Sequence, residues 1–433
     1  MGALVSLVRY TSSPDSLREA ISLCDGFYGI RPTGSVLIKP NLVTWDNTIP
    51  IPPFGVFTST RLVEDLIVCL KDFGCNKITI GEGSVQMNKE VGTKDAFTGL
   101  GYDALANHYG VELVDFNDSA TRELAISDDA VLHIAEEALT HDFVINFPVL
   151  KTHAQTKVSL GLKNLKGCLA VKSKKACHNP EGSLEERFTH IADLVKPSLT
   201  IVDGIYALER GALHFGNAYR KDVIIASSDV FAADVTGSKI MGYDIQEIDH
   251  LAYYADRQGI ALSTFACDVV GENMTDHIQH LKWDWTWNKA NTGPAVFDKL
   301  GVRGVAVPKY DDTLCSGCSP LANMTNILVL SAAKNHPPSA PVEILNGKKM
   351  QARPGYEKTI LLGNCIIKAN KTNPHINEAI KVPGCPPAIN DVVAAFQAGG
   401  IKASRADYDR FLKQQSIKYE GREGFDWSLF AEK

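Results

Sequence analysis

Val36-Leu37-Ile38-Lys39-Pro40-Asn41 and Lys77-Ile78-Thr79-Ile80-Gly81-Glu82-Gly83-Ser84 decide how this chain folds. Each is a short β-branched run that ends in a polar residue and then in proline or glycine, which is a strand followed by a stop. Between them, Thr60 to Phe73 repeats apolar residues at helical spacing and ends at Gly74. Strand, helix and strand in that order build a parallel pair, because parallel neighbours need a long crossover.

The same alternation runs outward from this core. Ala96 to His108 reads as helix, Val111 to Phe116 as strand, and Phe143 to Phe147 as a near-continuous apolar strand. Leu199 to Gly204 and Val223 to Ser227 read as strands, and Asp229 to Met241 as helix. The expected class is therefore α/β: mostly parallel sheets with flanking helices in two lobes, plus a smaller C-terminal domain that carries the cysteine region. The expected divisions are residues 1–148, 149–300, 301–402 for the cysteine region, and 403–433 for a C-terminal helix and docking tail. Trp283-Asp284-Trp285-Thr286-Trp287 reads as a linker or cap ahead of the cysteine region.

The 433 residues carry a net charge of −6 and are 45% hydrophobic. That balance gives no footprint for nucleic acid or a membrane surface. No apolar run approaches the ~18 residues needed to span a bilayer. The N-terminus has no basic n-region followed by a long apolar core, so no signal peptide is expected and the cytoplasm is the expected compartment. Gly2 and Ser6 match a myristoylation pattern, but a first strand is the preferred reading there. A homodimer is compatible with the composition.

Polar residues at strand ends mark functional clefts in open α/β sheets. Lys39 and Asn41, Glu82 and Ser84, Lys151-Thr152-His153, and Asp203 all stand at such ends and are expected to converge. After Lys151 the chain stays basic through Lys163, Asn164 and Lys166. A basic stretch in an acidic protein suits an anion such as a carboxylate, phosphate or acyl-CoA. Lys151, His153, Lys163, Glu82 and Asp203 are the candidate acid/base groups. Lys39, Asn41, Ser84, Thr152, Asn164 and Lys166 are the candidate substrate contacts. For Lys172 to Lys175 a solvated basic face is expected.

Four cysteines carry the strongest chemical signal. Cys315 and Cys318 lie in Leu-Cys-Ser-Gly-Cys-Ser-Pro, Cys365 in Leu-Gly-Asn-Cys, and Cys385 in Val-Pro-Gly-Cys-Pro-Pro. Thiolates are soft anionic ligands, and one Cys-x-x-Cys turn with two more thiols from separate loops makes the usual set for a [4Fe-4S] cluster. Zinc is the rival, although a second Cys-x-x-Cys is absent. The other six cysteines (Cys24, Cys69, Cys75, Cys168, Cys177, Cys267) are scattered and read as core thiols.

The cysteine loops resemble the cluster-binding loops of nickel–iron hydrogenase small subunits and of the related complex I subunit. Val-Leu-Ile-Lys-Pro-Asn from Val36, Ile-Thr-Ile-Gly-Glu-Gly-Ser from Ile78, Lys151-Thr152-His153 with Leu-Gly-Leu-Lys-Asn-Leu-Lys-Gly from Leu160, and Val-Asp-Gly from Val202 resemble the uncharacterised DUF362 family over about residues 35 to 260. Many members of that family carry iron–sulfur ligands, commonly as a ferredoxin double motif that this chain lacks. A further likeness is the ten-residue separation of His153 and Lys163, as in lactate racemases, although only Gly161 and Lys163 of their glycine-rich stretch are present.

The expected function is a [4Fe-4S] oxidoreductase acting on a small anionic molecule, with a redox partner protein. No nucleotide-binding Gly-x-Gly-x-x-Gly opens a helix after a strand, while flavin is not excluded. The alternatives are a non-redox isomerase, racemase or lyase using the Lys/His groups, and an electron carrier or metallocentre-assembly factor.

Overall fold

The computed structural model describes residues 2–46, 51–85, 91–127, 130–210, 215–334 and 336–431. The chain divides into two compact units, one of Met1–Lys174, Glu185–Asp284 and Tyr419–Lys433, the other of Lys175–Leu184 and Trp285–Lys418.

The first unit is built on a ten-stranded sheet. In chain order the strands of this unit are β1 Leu4–Arg9, β2 Ser35–Lys39, β3 Lys77–Glu82, β4 Glu112–Asp115, β5 Thr121–Ser127, β6 Ala130–Ala135, β7 Phe143–Asn146, β8 Val149–His153, β9 Lys157–Ser159, β10 Leu199–Glu209, β11 Asn217–Ser227 and β12 Asp268–Gly271. Strands β5 and β6 pair separately as an antiparallel hairpin. The main order is β12-β1-β11-β10-β7-β2-β3-β4, with β8 on β10 and β9 on β8. The run from β10 through β7, β2 and β3 to β4 is parallel throughout. Within this sheet, among the described residues, antiparallel pairing is confined to β1–β11, β10–β11 and β8–β9.

The central strands are buried, which is why they read as unbroken apolar runs. Val36, Leu37 and Ile38 of β2 have no exposed surface, nor does Ile145 of β7. Register puts Lys39 beside Asn146 across the β2–β7 pair. Helix Thr60–Asp72 is the crossover between β2 and β3, and buries Leu62, Val63, Leu66, Ile67 and Leu70. Helix Val230–Ile240 is capped by Asp229, whose carboxylate accepts from the N–H groups of Phe231 and Ala232.

The expected division at 148/149 falls inside this sheet, because β10, from the later segment, pairs with β7, from the earlier one. Periodicity shows which residues form strands but not which strands become neighbours. The helix expected over 96–108 is two helices, Thr93–Gly99 and Tyr102–Tyr109, because Gly101 adopts φ +76° and turns the chain between them.

The second unit has its own four-stranded sheet, with β13 Val305–Ala306, β14 Val342–Leu345, β15 Lys358–Leu362 and β16 Glu378–Val382 in sequence order and all parallel. Leu328, Val342, Ile344, Ile360, Leu362 and Phe396 belong to its core. The cysteine region is thus itself an α/β layer, starting at Trp285 rather than 301 and reclaiming residues 175–184. Trp283 and Asp284 end the first unit and Trp285 opens the second, so the tryptophan cluster is where the chain passes from one to the other.

Helix Arg405–Ser416 belongs to the second unit, and the tail from Tyr419 to the first. The tail docks by its rings: Tyr419, Phe425, Trp427 and Phe430 all meet the buried Phe54 edge-on at 5.0–5.5 Å between centroids. Among the described residues, no helix is long and apolar enough to cross a membrane.

Candidate functional site

Two groups of side chains stand at the C-terminal ends of parallel strands, one in each unit. In the first unit, β2 delivers Lys39 and β3 delivers Glu82, both buried. Lys39 Nζ donates to Glu82 Oε2 at 2.7 Å, to Asn164 Oδ1 at 3.1 Å and to the Pro40 carbonyl at 2.8 Å. An ammonium has three N–H donors, so Lys39 is saturated. Glu82 also accepts from the Leu42 and Gly83 N–H groups, at 2.9 and 2.8 Å.

Asn41 donates to Asn164 Oδ1 at 2.9 Å and accepts from Lys151, which also donates to the Val56 carbonyl at 2.8 Å. Burial pushes the Lys151 amine down to about 7, and the Lys39 charge acts in the same direction. Lys174 donates to the Gly83 carbonyl at 2.6 Å and to Asn117 Oδ1 at 2.8 Å. Burial pushes it down to about 8, against the pull of Glu82.

The short helix Gly161–Asn164 is held from beneath. Asp234, with no exposed surface, accepts the N–H groups of Gly161 and Leu162 at 2.6 and 2.9 Å. Burial raises its carboxyl to about 7, against those two hydrogen bonds. Asn164 reaches back to the Lys39 carbonyl at 3.2 Å and Asn146 Oδ1 at 2.9 Å. Lys163, on the same turn, is half-buried, and its side chain makes no hydrogen bond among the described residues. Burial holds its amine well below the usual lysine range, with the charges of Lys166 and Lys151 adding to the effect. Gly167 is required here, because a Cβ would sit 2.1 Å from Glu82 Oε1 and 2.6 Å from Lys39 Nζ.

Lys39, Asn41, Glu82, Lys151 and Asn164 are thus joined directly by hydrogen bonds, and Lys163 and Lys166 are coupled to them by charge. Other expected residues hydrogen-bond to the backbone. Asp203 accepts the N–H groups of Ser59 and Ile205 at 2.7 and 3.0 Å, anchoring the start of helix Thr60–Asp72. Burial raises its carboxyl. Thr152 donates to the Leu208 carbonyl at 3.1 Å. His153 Nδ1 accepts the Gln155 N–H at 3.1 Å, within its own turn. Ser84 donates to the Leu42 carbonyl, and its own carbonyl accepts from Asn117 at 3.0 Å.

The solvated face expected for Lys172 to Lys175 is wrong at Lys174, which is only 6% exposed. Ser173, Lys174 and Cys177 are all buried, and that spacing was the available signal. Asn117, Asn146 and Asp234 were also missed, since nothing in their local sequence separates them from ordinary polar residues.

In the second unit, Cys315, Cys318, Cys365 and Cys385 line one cavity of about 300 Å³, a volume that includes space open to solvent. Cys315 and Cys318 form a turn, closed by Cys318 N–H to the Cys315 carbonyl at 2.9 Å, just before helix Ser319–Ala333. Cys365 follows β15 and Cys385 follows β16. Asn364 Oδ1 accepts the Gly384 N–H at 3.0 Å, and the Asn364 N–H returns to the Gly384 carbonyl at 3.1 Å, so these two loops are tied. Gly363 and Gly384 have φ of +107° and +144°, conformations that L side chains rarely adopt.

Cys315 is buried, Cys318 half-buried, and Cys365 and Cys385 exposed. The Cys318 thiol hydrogen-bonds to the Cys315 sulfur and holds Cys315 down, to about 5. Cys318 keeps that proton and is held far above the usual thiol range. Lys348 lines the cavity, and Lys175 Nζ stands 3.8 Å from Cys385 Sγ. Among the described residues, no group of three or more His, Cys, Asp or Glu side chains is arranged to hold a metal ion. The six scattered cysteines are buried, apart from the half-buried Cys267, and all ten are free thiols.

The class so defined is an α/β protein with a buried lysine–carboxylate cluster at the strand ends of its main sheet. This chain belongs to the DUF362 family, a domain of unknown function whose model matches residues 36–239. That match contains the whole lysine cluster and stops short of the four cysteines. The chain is similar to the thylakoid-associated protein sll1697 of Synechocystis sp., with 30% identity over 229 residues that cover 52% of this chain and 68% of the relative. Among solved structures, the lactate racemase apoprotein of Thermoanaerobacterium thermosaccharolyticum aligns at 14% identity with a TM-score of 0.35. That alignment covers 55% of this chain and 57% of the racemase chain, and it is too weak to bear on activity.

Proposed function

We propose that the protein is an iron–sulfur oxidoreductase that acts on a small anionic molecule. The observation that carries this reading is the gathering of Cys315, Cys318, Cys365 and Cys385 from three separate segments onto one cavity. The donor set fits a [4Fe-4S] cluster: four soft thiols ring a space, and the cations of Lys175 and Lys348 offset thiolate charge. When bound, such a cluster supplies one-electron transfer. The exposed Cys365 and Cys385 leave an open side that a redox partner protein could approach. Ten free thiols support a reducing compartment such as the cytoplasm.

Charge supports the anionic substrate. Lys39, Lys151 and Lys174 are buried around one carboxylate, Glu82. Uncompensated buried charge is unfavourable, and two of these amines are driven toward neutrality because of it. An anion would relieve that strain. Lys39 has no N–H left to offer, while Lys151 and Lys174 when protonated each keep one, and the Lys163 amine donates none of its N–H groups among the described residues.

A second reading, a non-redox isomerase, racemase or lyase, is favoured by Lys151, because an amine poised near 7 can accept and return a proton at neutral pH. Anaerobic turnover in deuterated water separates the two. Bleaching and recovery of the visible iron–sulfide absorption with substrate supports the oxidoreductase. Exchange of a carbon-bound hydrogen without any bleaching would replace it with the second reading.

A further inference from the structure

Among the lysines of the cluster, Lys163 is built unlike the rest. Lys39, Lys151 and Lys174 donate hydrogen bonds to fixed protein acceptors, whereas Lys163 donates none among the described residues. Its backbone is nevertheless tightly held. Asp234 grips the two residues before it, and Asn164 after it is tied to β2 and β7. The side chain keeps exposed surface, so a small molecule can reach it.

We propose that the Lys163 amine is a covalent capture point for carboxylates or phosphates that also bear an aldehyde or ketone, with which it forms an imine. This rests on the reading that the lysine cluster binds an anion, and narrows that anion to one with a carbonyl. The amine nitrogen forms a bond to the carbonyl carbon, the carbon–oxygen bond breaks, and the two nitrogen protons leave with that oxygen as water. No oxidant or reductant is consumed.

The surroundings suit both halves of such a substrate. A lysine attacks only as the neutral amine, which cationic neighbours and burial favour. Here Lys166, Lys151 and Lys39 press on Lys163 by charge. The one carboxylate that opposes them, Glu185, is engaged by His250, whose Nδ1 lies 2.6 Å and backbone N–H 3.1 Å from Glu185 Oε2. The same cations attract the substrate's anionic end.

The test uses the full chain with glyoxylate or pyruvate and cyanoborohydride near neutral pH, followed by peptide mass mapping. The expected result is a reduced adduct at Lys163 in preference to the exposed Lys94, suppressed by excess oxalate, a carboxylate without a reactive carbonyl. The adduct should be lost in Lys163→Arg and kept in Lys94→Arg, whose exposed side chain pairs with Asp118 away from the cluster. Because the mapping is done on the wild-type chain, a variant that fails to fold does not remove the test. Labelling no greater at Lys163 than at Lys94 overturns the proposal. Oxalate binding, measured by calorimetry, then decides the rest: binding without an adduct leaves the anion reading standing, and no binding overturns both.

Discussion

The lysine cluster and the cysteine cavity occupy equivalent positions, each at the C-terminal ends of a parallel sheet, yet they are finished differently. Around Lys39 and Glu82 the protein supplies its own counter-charges and acceptors, and both side chains are almost wholly buried. Around the four cysteines two thiols are exposed, and the Cys318 thiol hydrogen-bonds to the Cys315 sulfur. The first arrangement satisfies Lys39 and Glu82 from within the protein. The second has thiols facing a cavity, which is where the proposed cluster would bind.

This contrast can be broken by substitution. The largest effect is expected from Cys318→Ser or Cys385→Ser: loss of bound iron and sulfide, with circular dichroism still reporting the α/β fold. An intact cluster in either variant would remove that cysteine from the ligand set. Lys39→Met should do the opposite, leaving bound iron while removing the partner of a buried carboxylate. Losing one member of such a pair costs about 3–5 kcal/mol, readable by urea denaturation. Gly167→Ala sharpens the same point on a smaller scale, since its methyl would collide with both Glu82 and Lys39 and should cost about 1–3 kcal/mol.

The smallest effect is a pH slope. The Asp234 carboxyl is raised from its ordinary 3.8 to about 7 in the folded protein. Between those values the folded state holds more protons than the unfolded, so this group's contribution to stability is full below pH 3.8 and is lost as pH rises toward 7. Comparing wild type with Asp234→Asn across that window should show a difference of up to about 1.4 kcal/mol per pH unit. Equal slopes would mean that Asp234 is ionised throughout.

How much of this was legible in the sequence follows the same divide. Cysteine carries its chemistry in its identity, so Cys315, Cys318, Cys365 and Cys385 could be grouped before any fold was known. Lys39 and Glu82 were legible because strand ends in parallel sheets point at clefts, whereas Lys151, read as the residue after a strand, lies inside β8. Lys174 was not, because a run of lysines looks alike whether it faces water or the Gly83 carbonyl. Asp203 reads in the sequence as a strand-end acid, but β10 runs on to Glu209 and its partners are the backbone N–H groups of Ser59 and Ile205. The single sheet that crosses residue 148 depends on long-range pairing of β7 with β10, which local periodicity does not encode.

The central claim is tested most directly by anaerobic purification, iron and acid-labile sulfide analysis, and electron paramagnetic resonance before and after dithionite. The account predicts about four irons and four sulfides per chain and a signal that appears on reduction. Zinc without sulfide, or four thiols that remain metal-free after reconstitution, would contradict it.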